Sequence, residues 1–194
     1  MKGCRPLTDQ ESSQVLESFT GENRLRDRCL FLLGIKSGFR ISELLSLQVG
    51  DLVQGGKVAD RVGVARAHMK KKIEGRCVIL HPIAKAAIAE RIEELKRLGK
   101  SQNETFLFLS AKGQNKALTR IGAWCVLKKA YRSLNLTGKL ATHTMRKTFC
   151  GKIYDKLNQN IFLTAKAMGQ KNVNSCASYL SFREEQIDEA VLSI

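Results

Sequence analysis

The sequence predicts a mainly α chain with a small antiparallel β-sheet, an α+β class. Three observations carry this. Apolar residues recur at spacings of three and four over most of the chain. Two stretches have β character, Val58 to Met69 and Cys77 to Leu80, and a polar, Gly-containing link joins them. No internal repeat, low-complexity tract or Pro-rich linker divides the 194 residues, so they read as one domain.

Each element has its own local reason. Pro6-Leu7-Thr8-Asp9 opens a first helix. Glu11 follows Thr8 at capping-box spacing, Val15, Leu16 and Phe19 supply the apolar face, and Gly21 ends it. A second helix runs from about Leu25 to Ser37 on Leu25, Cys29, Leu32, Leu33 and Lys36, and Gly38 stops it. Phe39 to Leu47 is a short helix burying Ile41, Leu44, Leu45 and Leu47, with Arg40 at its mouth. In the first β segment Val62 and Val64 flank Gly63. The link Lys70 to Arg76 makes a hairpin or ribbon with Cys77-Val78-Ile79-Leu80.

Pro82 then opens a long helix to about Leu98 on Ile83, Ala86, Ala87, Ile88, Ile92 and Leu95, closed by Gly99. Phe106 to Leu109 is a brief apolar segment before a loop at Gly113. Thr119 caps a helix through Ile121, Trp124, Leu127 and Tyr131. After Gly138, a helix from Thr142 to Leu157 buries Met145, Phe149 and Ile153, and the Thr142 hydroxyl is expected to accept a first-turn backbone N–H. Ile161 to Met168 is a short helix ended by Gly169. Asn172 or Asn174 caps another that contains Tyr179. Glu184 to Ser193 forms a last amphipathic helix on Ile187, Ala190 and Val191.

The net charge is +15, from 33 Lys and Arg against 18 Asp and Glu, and the basic residues are spread along the whole chain. That balance points to a polyanionic partner, nucleic acid first and an anionic membrane surface second. The six cysteines form no CxxC pair and have no His at metal-ligand spacing. They read as small core residues of a chain in a reducing cytosol, not as a disulfide framework. No apolar run approaches the ~18 residues of a membrane span, and the N-terminus has no targeting pattern.

The charges that need explaining lie in Thr142-His143-Thr144-Met145-Arg146-Lys147. Cations in the first turn oppose the helix dipole, at roughly 0.3–1 kcal/mol each. Such a turn suits an anion, and phosphate is the usual one. Taken alone, it reads as a solvated basic turn. Three further features read as blandly by themselves: Arg40 with Glu43 as a surface pair, Lys70-Lys71-Lys72 as a soluble hairpin tip, and Tyr179 as a packing residue.

Their joint order is specific. Arg40 in Gly38-Phe39-Arg40-Ile41-Ser42-Glu43-Leu44, a lysine in a hairpin, His143-Thr144-Met145-Arg146, a Gly-terminated helix, and Tyr179 nine residues after Gln170 resemble the tyrosine recombinase (phage integrase) family. The resemblance covers residues 1–194 as that family's catalytic domain. It implies that fold and strand breakage and rejoining by a site-specific recombinase or integrase on double-stranded DNA. Arg40 and Arg146 are then expected to grip the scissile phosphate, which a planar, forked, always-charged guanidinium suits. His143 is expected to contact the same phosphate and help take the tyrosine proton. Tyr179 becomes the nucleophile of a 3′-phosphotyrosyl intermediate that leaves a free 5′-hydroxyl. A hairpin lysine becomes the general acid: counting back from Arg76 favours Lys71, with Lys70 and Lys72 open. Glu43 supports from behind. No metal or cofactor is required, because the phosphotyrosine keeps the bond energy.

The resemblance further implies exchange through a Holliday junction by a homo-oligomer, a tetramer on DNA, with accessory DNA-bending proteins, in the cytoplasm at the nucleoid and away from membranes. Ile187, Ala190, Val191 and Leu192 are the expected contact with a neighbouring copy. Two departures stand out. Gln170 occupies a position where the family usually has His or sometimes Trp. It can donate a hydrogen bond but cannot act as an acid. No counterpart of the helical DNA-clamping domain that many members carry before the point matching Pro6 is expected in residues 1–194, through trimming or because the member is naturally short, and a catalytic domain alone is expected to bind DNA more weakly and with strong salt dependence. The alternatives are a type IB topoisomerase-like enzyme, disfavoured by the close G-x-R-x-x-E-L match, and a recombinase-derived DNA-binding regulator, disfavoured because Arg40, Lys71, His143, Arg146 and Tyr179 are all present.

Overall fold

A computed structural model describes residues 3–64, 76–180 and 191–194. The elements in order are α1 (Asp9–Ser18), α2 (Arg24–Ser37), α3 (Ile41–Leu45), α4 (Val49–Leu52), β1 (Val53–Gln54), β2 (Lys57–Val58), β3 (Arg61–Val64), β4 (Arg76–Ile79), α5 (Pro82–Arg97), α6 (Arg120–Ser133), α7 (His143–Lys156), α8 (Ile161–Ala167) and α9 (Val173–Ala177). The mainly helical reading with small antiparallel β pairs holds. Lys70, Lys71 and Lys72, and most of the expected helix at Glu184 to Ser193, lie outside the described residues.

Helix α2 is the axis of the main core. Cys29, Leu30, Phe31, Leu32, Leu33 and Ile35 are all buried, so it is apolar nearly all round, as a helix enclosed by others must be. It packs on α5 and α7. Gly34 lets α7 approach closely: a Cβ there would strike the Met145 side chain. Helix α1 starts as its capping box requires, with the Thr8 hydroxyl accepting from Glu11 N and Glu11 accepting from Thr8 N. Two buried arginines fix the segment around Phe108. Arg26 Nη1 donates to Leu109 O and Arg91 Nε to Leu107 O, both at 3.0 Å.

The sheet character is split between two antiparallel ribbons. In β3–β4, Val62 pairs with Val78 and Gly63 with Cys77. Val62 and Val78 face the core while Cys77 and Ile79 are exposed, the alternation of a half-buried ribbon. Residues Val58 to Val64 do not form one continuous strand: β2 ends at Val58 and β3 begins at Arg61. The sequence reading passed over α4 and the β1–β2 hairpin. Gly55 and Gly56 both have positive φ, the backbone that a two-residue hairpin loop demands. Ile83 and Ile121, counted with apolar helix faces, are exposed. Among the described residues, no helix is long and apolar enough to cross a membrane.

Candidate active site

Arg146 is the deepest functional side chain, 1% exposed. Among the described residues, no carboxylate is hydrogen-bonded to it. Nη2 donates to Met168 O at 2.9 Å, and Nη1 donates to Gly38 O. Gly38 is the C-cap of α2 and Met168 the C-cap of α8. Two helix C-termini, each with negative partial charge on its last carbonyls, therefore receive one guanidinium. Glycine makes the first of these ends. Gly38 has φ +62°, and a Cβ on it would meet the Phe149 ring. That turn continues directly into Phe39 and Arg40, and the α8 end continues into Gly169 and Gln170. One side chain of α7 thus ties the Arg40 box to the Gln170 loop.

Arg40 is the N-cap residue of α3, which is shorter than the sequence reading made it. Its Nη1 lies 2.8 Å from Glu43 Oε1, and its backbone N donates to Glu43 Oε2 at 2.7 Å. The expected support from Glu43 is present. The Arg40 side chain is 33% exposed.

His143 opens α7. Thr142 stands at the N-cap, but its hydroxyl makes no cap bond and its backbone is already helical. Thr144 Oγ1 accepts from Ala141 N instead, at 3.1 Å. This is the N3-to-N-cap half of a capping box in which Ala141 plays the N-cap, one residue before Thr142, and Thr142 supplies no side-chain acceptor to the first-turn amides. Burial lowers the pKa of His143, and the charges of Arg146, Arg40 and Lys147 lower it further. Burial likewise pulls Arg146 down, with Arg40 next, while Tyr179 and Glu43 push it back up. These directions place the three cations and His143 within one electrostatic field.

Tyr179 faces that field. Its ring centroid is 5.5 Å from Arg146 Cζ and 6.4 Å from the His143 ring. It does not lie inside a helix, contrary to the sequence reading. Asn172 caps α9, accepting from Asn174 N at 2.8 Å, and the helix ends at Ala177. Tyr179 sits in the following turn, with its N donating to Cys176 O at 2.9 Å. Gln170 Nε2 donates to Ser175 O at 3.4 Å, whereas its Oε1 is buried with no hydrogen-bond partner. Arg146 Nε is also buried and unpartnered.

Arg40, His143, Arg146, Gln170 and Tyr179 therefore come together, while Lys71 lies outside the described residues. Lys147 was named in the sequence only as a neighbour of Arg146, yet it is 7% exposed and adds to the same field. Among the described residues, no three His, Cys, Asp or Glu side chains are grouped to hold a metal ion. A cluster this rich in fixed cations beside a phenol is suited to a phosphate ester.

The chain belongs to the phage integrase family, whose model matches residues 5–186. It is 29% identical over 185 residues to the probable integrase/recombinase YoeC of Bacillus subtilis (strain 168), covering 95% of this chain and 91% of that protein. It is also 29% identical over 189 residues to tyrosine recombinase XerC of Caldanaerobacter subterraneus subsp. tengcongensis. There the match covers 95% of this chain but 49% of the relative, so the chain spans about half of XerC's length. Among solved structures it shares its fold with the XerH site-specific recombinase bound to palindromic difH substrate in a post-cleavage complex. The TM-score is 0.74 and the identity 22%, over 98% of this chain and 53% of that one.

Proposed function

We propose that residues 1–194 form the catalytic domain of a site-specific recombinase that cuts and rejoins double-stranded DNA through Tyr179. Arg40 and Arg146 hold the non-bridging oxygens of the scissile phosphate. The Tyr179 oxygen attacks phosphorus and its proton passes to His143, whose lowered pKa keeps the imidazole neutral and able to accept it near neutral pH. The P–O5′ bond breaks, the phosphate becomes a 3′-phosphotyrosyl diester, and Lys71 protonates the departing 5′ oxygen. Gln170, once its amide turns its NH₂ inward, adds a neutral donor to the phosphate. Rejoining runs the same steps backwards from a new 5′-hydroxyl. Two sites exchange strands in turn through a Holliday junction within a tetramer, aided by DNA-bending proteins.

The observation that carries this reading is the double hold on Arg146, which joins the Gly38–Arg40 turn to the Met168–Gln170 turn beneath the Tyr179 ring. The net charge of +15 and the DNA-bound state of XerH in its solved structure support DNA as the partner. The test is a nicked suicide duplex built from the ends of the genetic element that encodes the chain. A covalent protein–DNA adduct is expected, lost in Tyr179→Phe. An adduct that survives in that variant, or none with the unaltered protein, overturns the reading.

A further inference from the structure

Two side chains in the site's floor have no part in that chemistry. Cys150 Sγ and Cys176 Sγ lie 3.8 Å apart, both fully buried and both unoxidised. Cys150 is one helical turn after Arg146 on α7 and so shares its face. Cys176 is in α9, and its carbonyl accepts the Tyr179 amide. The pair thus spans the junction between the helix that holds the phosphate-binding arginine and the turn that holds the tyrosine. The other cysteines are unlike it: Cys77 and Cys125 are exposed, and among the described residues neither buried Cys4 nor buried Cys29 has a sulfur partner.

We propose that Cys150 and Cys176 are a dithiol modification site that closes to a disulfide by exchange with a small-molecule disulfide, fixing Tyr179 against α7 and slowing DNA cleavage. The chemistry balances. The Cys176 thiolate attacks the small disulfide, forming a mixed disulfide and releasing one small thiol. Cys150 gives up its proton and attacks Cys176 Sγ, forming the internal bond and releasing the second. The protein loses two electrons and two protons, and the reagent gains them.

The surroundings set when this happens. Burial is the main reason that the Cys150 thiol is pushed up to about 12, and Cys176 is pushed up in the same direction. Closed, the pair is therefore a poor nucleophile. Helix α9 has five residues and rests on a small apolar cluster, so its opening is the local unfolding that exposes Cys176. Once the bond forms, the sulfurs draw in from 3.8 Å to about 2 Å. The Tyr179 turn, three residues on, is drawn with them. A displacement of about 1 Å at a reacting group can reduce a rate by about a hundredfold, so at least a tenfold slowing is expected.

The experiment uses the full chain with Cys77→Ser and Cys125→Ser, so that exposed thiols do not react. It is treated with oxidised glutathione, and three things are read: peptide masses, amide hydrogen exchange over 173–180, and cleavage of the suicide duplex. A Cys150–Cys176 cross-link, slower exchange, and cleavage reduced at least tenfold but restored by dithiothreitol support the proposal. Cys176→Ala in the same background is expected to show neither the cross-link nor the slowing. Absence of the cross-link overturns the proposal. So does a cross-link that leaves both exchange and cleavage unchanged. The cleavage arm rests on the proposed function. If the reduced protein cleaves nothing, that reading fails, and slower exchange in the cross-linked form still supports the switch at Tyr179.

Discussion

Two apolar clusters divide the site between them. The large one includes Leu30, Leu33, Leu44, Ile88, Leu127 and Met145, and it anchors α3 through Leu44 and the start of α7 through Met145. Arg40, His143 and Arg146 therefore stand on the main core. The small one consists of Cys150, Ala165, Met168 and Cys176, with Phe149, Val173, Tyr179 and Leu180 packed against it. Tyr179 and Gln170 stand there. The proposed phosphate grip is thus built on the part of the molecule with the most buried apolar surface, and the proposed nucleophile on a part with little. Local opening is easiest where few apolar contacts must be broken. The proposed role of Tyr179, which takes it from its resting place with a DNA strand and back, fits the smaller support.

Truncation in each cluster tests this division most strongly. Phe108 is fully buried in the large cluster and Met168 in the small one. Phe108→Ala is expected to destabilise the whole domain by about 3–5 kcal/mol, read as a shifted denaturation midpoint. Met168→Ala is expected to act locally. Amide exchange in α8 and α9 should quicken while the midpoint moves by less than about 1 kcal/mol. Equal midpoint shifts in the two variants would merge the clusters into one cooperative unit.

The arginines provide the next contrast. Arg146 bridges the clusters through two helix-end carbonyls, whereas Arg40 is partly exposed and paired with Glu43. Both Arg146→Met and Arg40→Met are expected to abolish cleavage. Only Arg146→Met should also destabilise the fold, by about 2 kcal/mol, because it removes the donor from buried carbonyls. Similar melting temperatures for the two variants would contradict the bridging role.

A smaller effect tests how tightly the large cluster fixes α7. Gly34→Ala places a methyl group against Met145. Overpacking is expected to destabilise by about 2 kcal/mol, because the Met145 thioether can swing aside but Met145 Cβ, 3.0 Å from the new methyl, cannot move without α7. Met145→Ala in the same chain should recover part of the loss.

The same division separates what the sequence disclosed from what it withheld. Helices α1, α2, α5 and α6 follow from caps, periodicity and stop glycines, all of them local signals. The proximity of Arg40, His143, Arg146 and Tyr179 was legible from their order and residue type, and their shared role is the proposal. The burial of Arg146 was not. Its acceptors are main-chain carbonyls 108 and 22 residues away, and a carbonyl leaves no mark in the sequence. Lys147 was hidden for the same reason: a first-turn lysine on a basic chain reads as solvated, and burial comes from the tertiary fold. The α4 and β1–β2 segment could have been found, since Gly55-Gly56 between Val53 and Val58 is a hairpin signal of the usual kind. The shift of the helix start to Ala141 could not, because alanine carries no capping side chain and the Thr144 hydroxyl that bonds its amide reads like any other.

The finest test concerns His143, which stands on the large cluster and faces the small one. Burial and then Arg146, Arg40 and Lys147 lower its pKa from the ordinary 6.5. A histidine whose folded pKa is depressed favours the folded state in its neutral form. That stability is fully present above about pH 6.5 and is lost as the pH falls through the folded value. A phosphate diester placed among the same cations reverses the sign of the local field, so the imidazolium gains a partner and the pKa rises. Titration by NMR is expected to give a value below 6.5 in the free protein and a higher one with DNA bound. In Arg146→Met the free value should move back toward 6.5, because the largest charge acting on the ring is gone. A His143 pKa that ignores both DNA and Arg146 would mean that the ring faces away from the phosphate position, and the proton of Tyr179 would need another acceptor.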